Sequence, residues 1–450
     1  MAKYHIWTIG CQMNVSESER LSSGLDQLGY EKVKDADDAD IVILNSCVVR
    51  QGAEDKVTSR LDSLKGHKRK NPDATIALMG CMVGPRTEKL QERFPHVEYF
   101  MRPQEFQSIL DFAAERQGLS CDSDLALLVP EAPKVSTFVP IMQGCDEFCT
   151  FCIVPYRRGR EKSRDLLELV HECEKLVERG VLEVTLLGQI VDRYGMDLDA
   201  PTDLADLLEQ VNDIPGIERI RFLTSHPRDM SQNIIDAVAS LENVCENINI
   251  PFQSGNDDVL ERMRRPYNME NYLKLIENIR GTVEGVSLST DVIVGFCGET
   301  DREFEDTLEI LKKVQFDVVH TSVYSNRPGT IASRKLEDDV PLETKILRKK
   351  KIEEVQEQIS LKRNQEYLGR TVEILVEREI RGKWEGRTRT NKLVHFEDQK
   401  TNWLGKMVNI DIYDAGSWSL RGSLPGVMAS TNDTKPDKSE ISLTNITDIA

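Results

Sequence analysis

No stretch of the 450 residues holds the roughly eighteen consecutive apolar side chains that a membrane-crossing helix needs, so no membrane span is expected. The opening residues, MAKYHIWTIGCQMN, run straight into a strand pattern and lack the charged-then-apolar layout of a secretory signal. A reducing, cytoplasmic setting is therefore expected for the ten cysteines, which favours metal or cofactor chemistry over disulfides. A basic excess is also missing. With 58 Lys and Arg against 76 Asp and Glu the formal charge is −18, so any RNA contact has to come from a local patch. The length exceeds one ordinary hydrophobic core and suggests two or three domains.

What the chain does carry is a loop, IMQGCDEFCTFCIVPYRRGR (141–160), with Cys145, Cys149 and Cys152 in a C-x3-C-x2-C spacing after the apolar run 137–142. No fourth cysteine or histidine follows nearby. A structural zinc site normally takes four protein ligands, in pairs two to four residues apart. Three thiolates instead suit an iron–sulfur cubane with one iron left open, which can bind a substrate or cofactor.

Residues 1–118 alternate strand and helix patterns: strands at 3–9, 41–44 and 74–79, helices at 16–28, 52–64 and 85–93. This order predicts an open parallel sheet of the flavodoxin or Rossmann type. Cys11, Cys47 and Cys81 each lie just beyond one strand. Loops at the carboxyl ends of adjacent parallel strands converge, so the three thiols are expected to meet at one edge and hold a second cluster.

Residues 119–135, with Pro130 and Pro133, read as a linker, and Cys121 within it is assigned no role. Over 136–363 the alternation resumes, with strands expected at 138–142, 183–187, 219–223, 247–250, 287–293 and 317–324. Six βα units fit a partial TIM-type (β/α)6 barrel. Polar and glycine motifs follow the strands: Gly188 and Gln189, Ser225 and His226, Gln253 to Gly255, Gly295 to Glu299, and Ser325 with Arg327. Barrel active sites are built at that end. His226 alone reads as structural, and Cys173, Cys245 and Cys297 as packing residues. The basic stretch Lys345, Arg348, Lys349, Lys350 and Lys351 reads as a solvated helix face.

From 364 to 424 short alternating strands suggest a small antiparallel barrel of the OB type. Lys383, Arg387 and Arg389, with Arg381 and Lys392, cluster beside Trp384, a set suited to phosphate contact and base stacking. Residues 425–450 have the polar composition of a disordered tail.

Together, TIGCQMN, LNSCVVRQGAEDK, the cysteine loop, TSHP and PFQSGN resemble the methylthiotransferase family of radical S-adenosylmethionine (SAM) enzymes, and within it the tRNA branch. The resemblance spans residues 3 to about 424. It implies that Cys145, Cys149 and Cys152 hold a 4Fe-4S cluster whose open iron binds SAM, that Cys11, Cys47 and Cys81 hold an auxiliary 4Fe-4S cluster, and that the C-terminal TRAM barrel binds RNA. Gln189, Ser225 and Asp291 are the expected SAM contacts; no side chain is assigned as catalytic. The implied reaction converts N6-isopentenyladenosine at position 37 of a tRNA anticodon loop to its 2-methylthio form. It consumes two SAM molecules, one giving the methyl group and the other a 5′-deoxyadenosyl radical that takes hydrogen from C2. An aromatic C–H has no useful acidity, so a radical route is sensible where a general base would fail.

A monomer served by a flavodoxin or ferredoxin is expected. Two departures stand out: GQIVDRYG (188–195) replaces the usual GQNVN, leaning toward the branch that modifies a ribosomal-protein aspartate, and Cys297 replaces the proline of VGFPGET. Threonylcarbamoyladenosine tRNA is a further alternative substrate. An iron–sulfur RNA-binding redox sensor is the alternative outside enzymes, but a sensor needs neither an open iron nor a polar barrel mouth.

Overall fold

An unbroken apolar run such as IVIL suits a strand covered on both faces. The computed structural model, which describes residues 1–48, 51–119, 128–130 and 133–426, buries every residue of that strand. Five parallel strands, β1 (Lys3–Thr8), β2 (Glu31–Lys32), β3 (Ile41–Ser46), β4 (Thr75–Gly80) and β5 (Tyr99–Met101), lie in the order β2-β1-β3-β4-β5. Side chains alternate between two cores. Ile41 and Ile43 face Leu21, Leu25 and Ile109 from the helices Gln12–Gln27 and Gln107–Arg116, whereas Val42 and Leu44 face Val57 and Leu61 from the helix Gln51–Lys70. Each fully buried aliphatic side chain contributes about 1.5–3 kcal/mol.

The order reverses beside β1 and β3, the topological position where ligands bind in such sheets. The sheet is therefore the flavodoxin-like one expected, enlarged by β2, β5 and the helix Gln107–Arg116. The first helix begins at Gln12 rather than at residue 16. Within it, buried Ser16 and Glu17 look in the sequence like surface residues. They face a second domain: Ser16 Oγ donates to Phe138 O at 3.1 Å, and Glu17 pairs with Arg158.

That second domain begins at β6 (Ser136–Pro140), followed by the short hairpin strands β7 (Met142–Gln143) and β8 (Lys162–Ser163). β9 (Glu183–Leu187), β10 (Arg219–Leu223), β11 (Asn247–Asn249), β12 (Ser287–Val294) and β13 (Val318–Val323) complete it. Two parallel sheets, β10-β9-β6 and β11-β12-β13, meet where Ile220 bridges Val244 and Ser225 N donates to Asn249 O at 3.1 Å. The six-strand partial barrel is thus assembled from two arcs. The helix Leu342–Gln365 lies along β13, and here the sequence expectation is corrected. Lys345 and Arg348 are buried, pairing with Asp338 and with Glu299, while Lys349 and Lys350 form the solvated pairs.

The last unit is a closed five-strand barrel of β14 (Thr371–Ile380), β15 (Lys383–Arg387), β16 (Leu393–Phe396), β17 (Met407–Ala415) and β18 (Leu420–Ser423). Four seams are antiparallel and one, β16–β18, is parallel. Of the expected linker, Leu128 and Val129 are buried, and Val129 O accepts from Ser23 Oγ at 2.8 Å. Cys121 and residues 427–450 of the expected tail lie outside the described residues. Among the described residues no helix is long and apolar enough to cross a membrane.

Candidate cluster and cofactor site

The three-cysteine loop leaves and re-enters the barrel through β7 and β8, whose ladder pairs Met142 with Ser163 and Gln143 with Lys162. Gly144 turns the chain at φ +77°, where a Cβ would come 1.9 Å from Arg160 O, so only glycine fits. Cys145 N donates to Gly159 O at 3.1 Å, and Thr150 is tied to Met263 O and Arg262 O. The geometry gathers Cys145, Cys149 and Cys152 within electrostatic reach of one another. Burial, with Cys149 alongside, pushes the thiols of Cys145 and Cys152 up to about 12. Such thiols give up their protons readily only to a cationic centre among them, which is what an iron cluster offers. Arg265 Nη1 donates to Cys149 Sγ at 3.6 Å and is itself held by Tyr267.

From this arginine the site continues into the barrel mouth. Tyr267 meets the His226 ring edge-on at 5.7 Å, and His226 N donates to Asp192 Oδ2 at 2.6 Å. Thr224 and Gln253, both following strands, adopt left-handed backbone angles of φ +74° and +65°. Such positions typically cost about 1–3 kcal/mol and concentrate at functional sites. Among the described residues, the buried atoms Gln189 Oε1, Gln253 Oε1 and His226 Nε2 have no hydrogen-bond partner. Each leaves about 1–3 kcal/mol uncompensated unless a polar ligand supplies the partner. Of the expected SAM contacts, Gln189 follows β9 and Ser225 follows β10. Asp291 lies within β12 and accepts from Asn249 Nδ2 at 3.2 Å. A polar, multiply charged ligand such as SAM fits this donor and acceptor set.

The other three cysteines also come together. Cys11 stands at the N-cap of Gln12–Gln27, its Sγ donating to Asn14 Oδ1 at 3.4 Å. Cys47 follows β3, its Cβ 3.1 Å from where a Cβ on Gly10 would lie. Cys81 N donates to Ser46 O at 2.9 Å, and burial pushes the Cys81 thiol up to about 12 against the pull of Arg158, with Cys47 and Cys11 adding to the rise. Two arginines of the barrel domain reach this trio, Arg158 near Cys81 and Arg327 near Cys47, each also paired with an acid, Glu17 and Glu54. Ile153, the residue after Cys152, packs against Cys81 and Val48, so the loop of the first cysteine set touches a cysteine of the second. No group of His, Cys, Asp or Glu among the described residues is arranged to hold a metal ion; a cubane takes each thiolate on a different iron.

Cys173, Cys245 and Cys297 are buried packing residues, as read from the sequence. The expected RNA-contact set is redistributed. Trp384 is only 6% exposed, fills the C-terminal barrel and donates from Nε1 to Asp398 O at 2.9 Å, so its face is not open to a base. Arg389 clamps Glu246 of the central domain, and Lys392 pairs with Asp317. Arg387 donates to Asn391, while Lys383 stays on the surface beside Glu397. Sequence reasoning missed Arg158, Asp192 and Arg265, whose charges look like surface residues; Arg158 and Asp192 sit within the cysteine-loop and GQ motifs, which was the available signal for them, and neither motif adjoins Arg265.

Comparison with known proteins follows the same three-part division. Residues 3–102 match the uncharacterized protein family UPF0004, residues 139–311 the radical SAM superfamily and residues 365–424 the TRAM domain. The chain is 46% identical over 436 residues to the tRNA-2-methylthio-N(6)-dimethylallyladenosine synthase of Roseiflexus sp. (strain RS-1), covering 96% of this chain and 90% of that one. It is 45% identical to the protein of the same description from Herpetosiphon aurantiacus, covering 94% and 98%. In fold it is similar to the radical S-adenosylmethionine methyltransferase TsrM from Kitasatospora setae, solved with cobalamin and a 4Fe-4S cluster. The TM-score there is 0.51 at 14% identity, over 72% of this chain and 75% of that one.

Proposed function

This chain belongs to the tRNA-2-methylthio-N(6)-dimethylallyladenosine synthases, radical SAM methylthiotransferases, and from that membership we propose how its residues divide the reaction. The activity is the conversion of N6-isopentenyladenosine in tRNA to 2-methylthio-N6-isopentenyladenosine, with two 4Fe-4S clusters and SAM as cofactors. Cys145, Cys149 and Cys152 hold the cluster that binds SAM, and Cys11, Cys47 and Cys81 the auxiliary one. When bound, these groups supply one-electron cleavage of SAM, hydrogen-atom abstraction, the sulfur and its methyl group. Gln189, Ser225, Gln253 and Asp291 orient SAM from the strand ends. Arg265 fixes Cys149, and Ile153 ties the cysteine loop to the N-terminal set by packing on Cys81.

The working units are 1–118, 136–363 and 364–424. The C-terminal barrel presents Lys383 and Arg381 to the tRNA and docks through Arg389. A cytoplasmic monomer with a flavodoxin- or ferredoxin-type electron donor suits the cysteine chemistry.

The observation that carries this reading is the gathering of two three-cysteine sets whose segments touch where Ile153 packs on Cys81, together with buried polar atoms at the barrel strand ends that lack partners among the described residues. Its test is mass spectrometry of digested nucleosides after incubating iron-loaded protein with SAM, reductant, sulfide and tRNA bearing isopentenyladenosine. Parallel reactions take threonylcarbamoyladenosine tRNA and the ribosomal protein. A methylthio product on isopentenyladenosine alone is expected; a product only on the ribosomal-protein aspartate would mean that GQIVDRYG reports the substrate.

A further inference from the structure

Arg158 stands six residues after Cys152, at the end of the helix Val154–Arg158, so the loop that carries one cysteine set also carries this side chain toward the other. It is buried, and Nη1 donates to Glu17 Oε1 at 2.6 Å across the domain boundary. A pair serving only to lock two domains would be expected to use both forks, two N–H groups on two oxygens. Here the contact is single. Among the described residues, Arg158 Nη2 and Glu17 Oε2 are both buried without a partner. Arg158 also lies within electrostatic reach of Cys81 and Cys11, so the space about its guanidinium is shared with thiol sulfur. An N–H group left over in such a place calls for an anionic acceptor, and the sulfur atoms of an iron–sulfur cluster are such acceptors.

We propose that Arg158 is a positioning residue for the auxiliary cluster, its Nη2 donating a hydrogen bond to a sulfur atom of the cluster held by Cys11, Cys47 and Cys81. The inference rests on the reading that these cysteines hold a cluster. Hydrogen bonds to cluster sulfur stabilise the more negative, reduced state and raise the reduction potential. The loop around the SAM-binding cluster would then set the potential of its neighbour, coupling the two without a shared ligand.

The experiment is a reductive titration of the full, iron-loaded chain followed by electron paramagnetic resonance, with iron and sulfide assayed in parallel. The auxiliary signal is identified as the one that SAM does not perturb. Arg158→Lys keeps the charge opposite Glu17 and removes the second fork. It should retain iron content and melting temperature, shift the auxiliary midpoint to a more negative potential, and leave the SAM-sensitive signal unmoved. Glu17→Gln with Arg158→Gln removes both charges, leaves no unpaired buried ion if lysine is not tolerated, and should shift the midpoint the same way. An unmoved auxiliary potential in a folded, fully loaded variant would overturn the inference and leave Arg158 as the partner of Glu17. Wild-type protein that binds only one cluster's worth of iron would overturn the reading of the three cysteines, and this inference with it.

Discussion

Arg265 donates from Nη1 to Cys149 Sγ at 3.6 Å while Nε bonds Tyr267 Oη at 3.0 Å and Nη2 reaches Pro251 O at 3.3 Å. A buried cation fixed on three sides next to a thiolate stabilises the reduced state of whatever that thiolate binds. Arg265→Gln should lower the potential of the SAM-binding cluster and slow dithionite-driven formation of 5′-deoxyadenosine by about tenfold or more, as outer contacts to metal ligands commonly do. Arg265→Lys should recover part of the rate. Wild-type rates and an unchanged spectrum in the glutamine variant would show that the contact has no electronic role.

Gly144 gives a different kind of test, because space and a left-handed backbone, φ +77°, are at stake rather than charge. A Cβ there would meet Arg160 O at 1.9 Å and Gly159 O at 2.7 Å, both backbone atoms that cannot swing away. Gly144→Ala should force open the β7–β8 ladder at the base of the cysteine loop, a local cost of about 2–4 kcal/mol or more. Iron bound by the loop should fall while the N-terminal cysteines keep theirs. An alanine variant with full iron and full SAM cleavage would mean that the loop tolerates another path.

The sequence was legible where the residues report their own environment. Apolar runs gave the strands, and the placing of the cysteines gave the two places where three thiols come together. It was opaque where a polar residue is buried against a different part of the chain. Ser16 and Glu17 gave no sign of burial against a second domain, Lys345 and Arg348 passed for a solvated face, and Trp384 beside basic residues passed for a base-stacking platform. Three of the partners lie far off in the chain: Phe138 for Ser16, Arg158 for Glu17 and Glu299 for Arg348. Local composition carries no trace of such pairings.

The docking of the C-terminal barrel shows how much such distant pairs carry. Arg389 bonds both carboxylate oxygens of Glu246 and the carbonyls of Glu242 and Val244, and Arg221 donates in return to Arg389 O at 2.7 Å and Thr388 O at 2.8 Å. Because the Arg389–Glu246 pair is part-exposed, Arg389→Ala should weaken docking by only about 1–3 kcal/mol. The expected result is faster amide exchange in 242–246 and 387–391 and a raised KM for tRNA, with tRNA-independent SAM cleavage unchanged. Equal loss of SAM cleavage would instead place Arg389 in support of the barrel itself.

Asp192 stands where the usual GQNVN pattern has asparagine, and it is buried. Burial raises its pKa to about 7, with Asp229 adding to the rise and the His226 N–H and Ser225 hydroxyl opposing it. His226 and Arg193 are the cationic candidates nearby, but both lie against Asp229. Between the ordinary aspartate value and about 7, the folded chain keeps a proton that the unfolded chain has lost. Stability therefore declines as pH rises through that window and levels off above it. Full expression of the shift corresponds to roughly 4 kcal/mol, an upper bound once relaxation is allowed. Asp192→Asn keeps an acceptor for the His226 N–H and removes the titration. The variant should gain on wild type as pH rises from about 4 to about 7 and keep a constant lead at about pH 8, read as a melting-temperature gap that widens through that window. A gap that stays constant across the range would mean that Asp192 remains ionised in the folded chain, paired by a group that the geometry does not show.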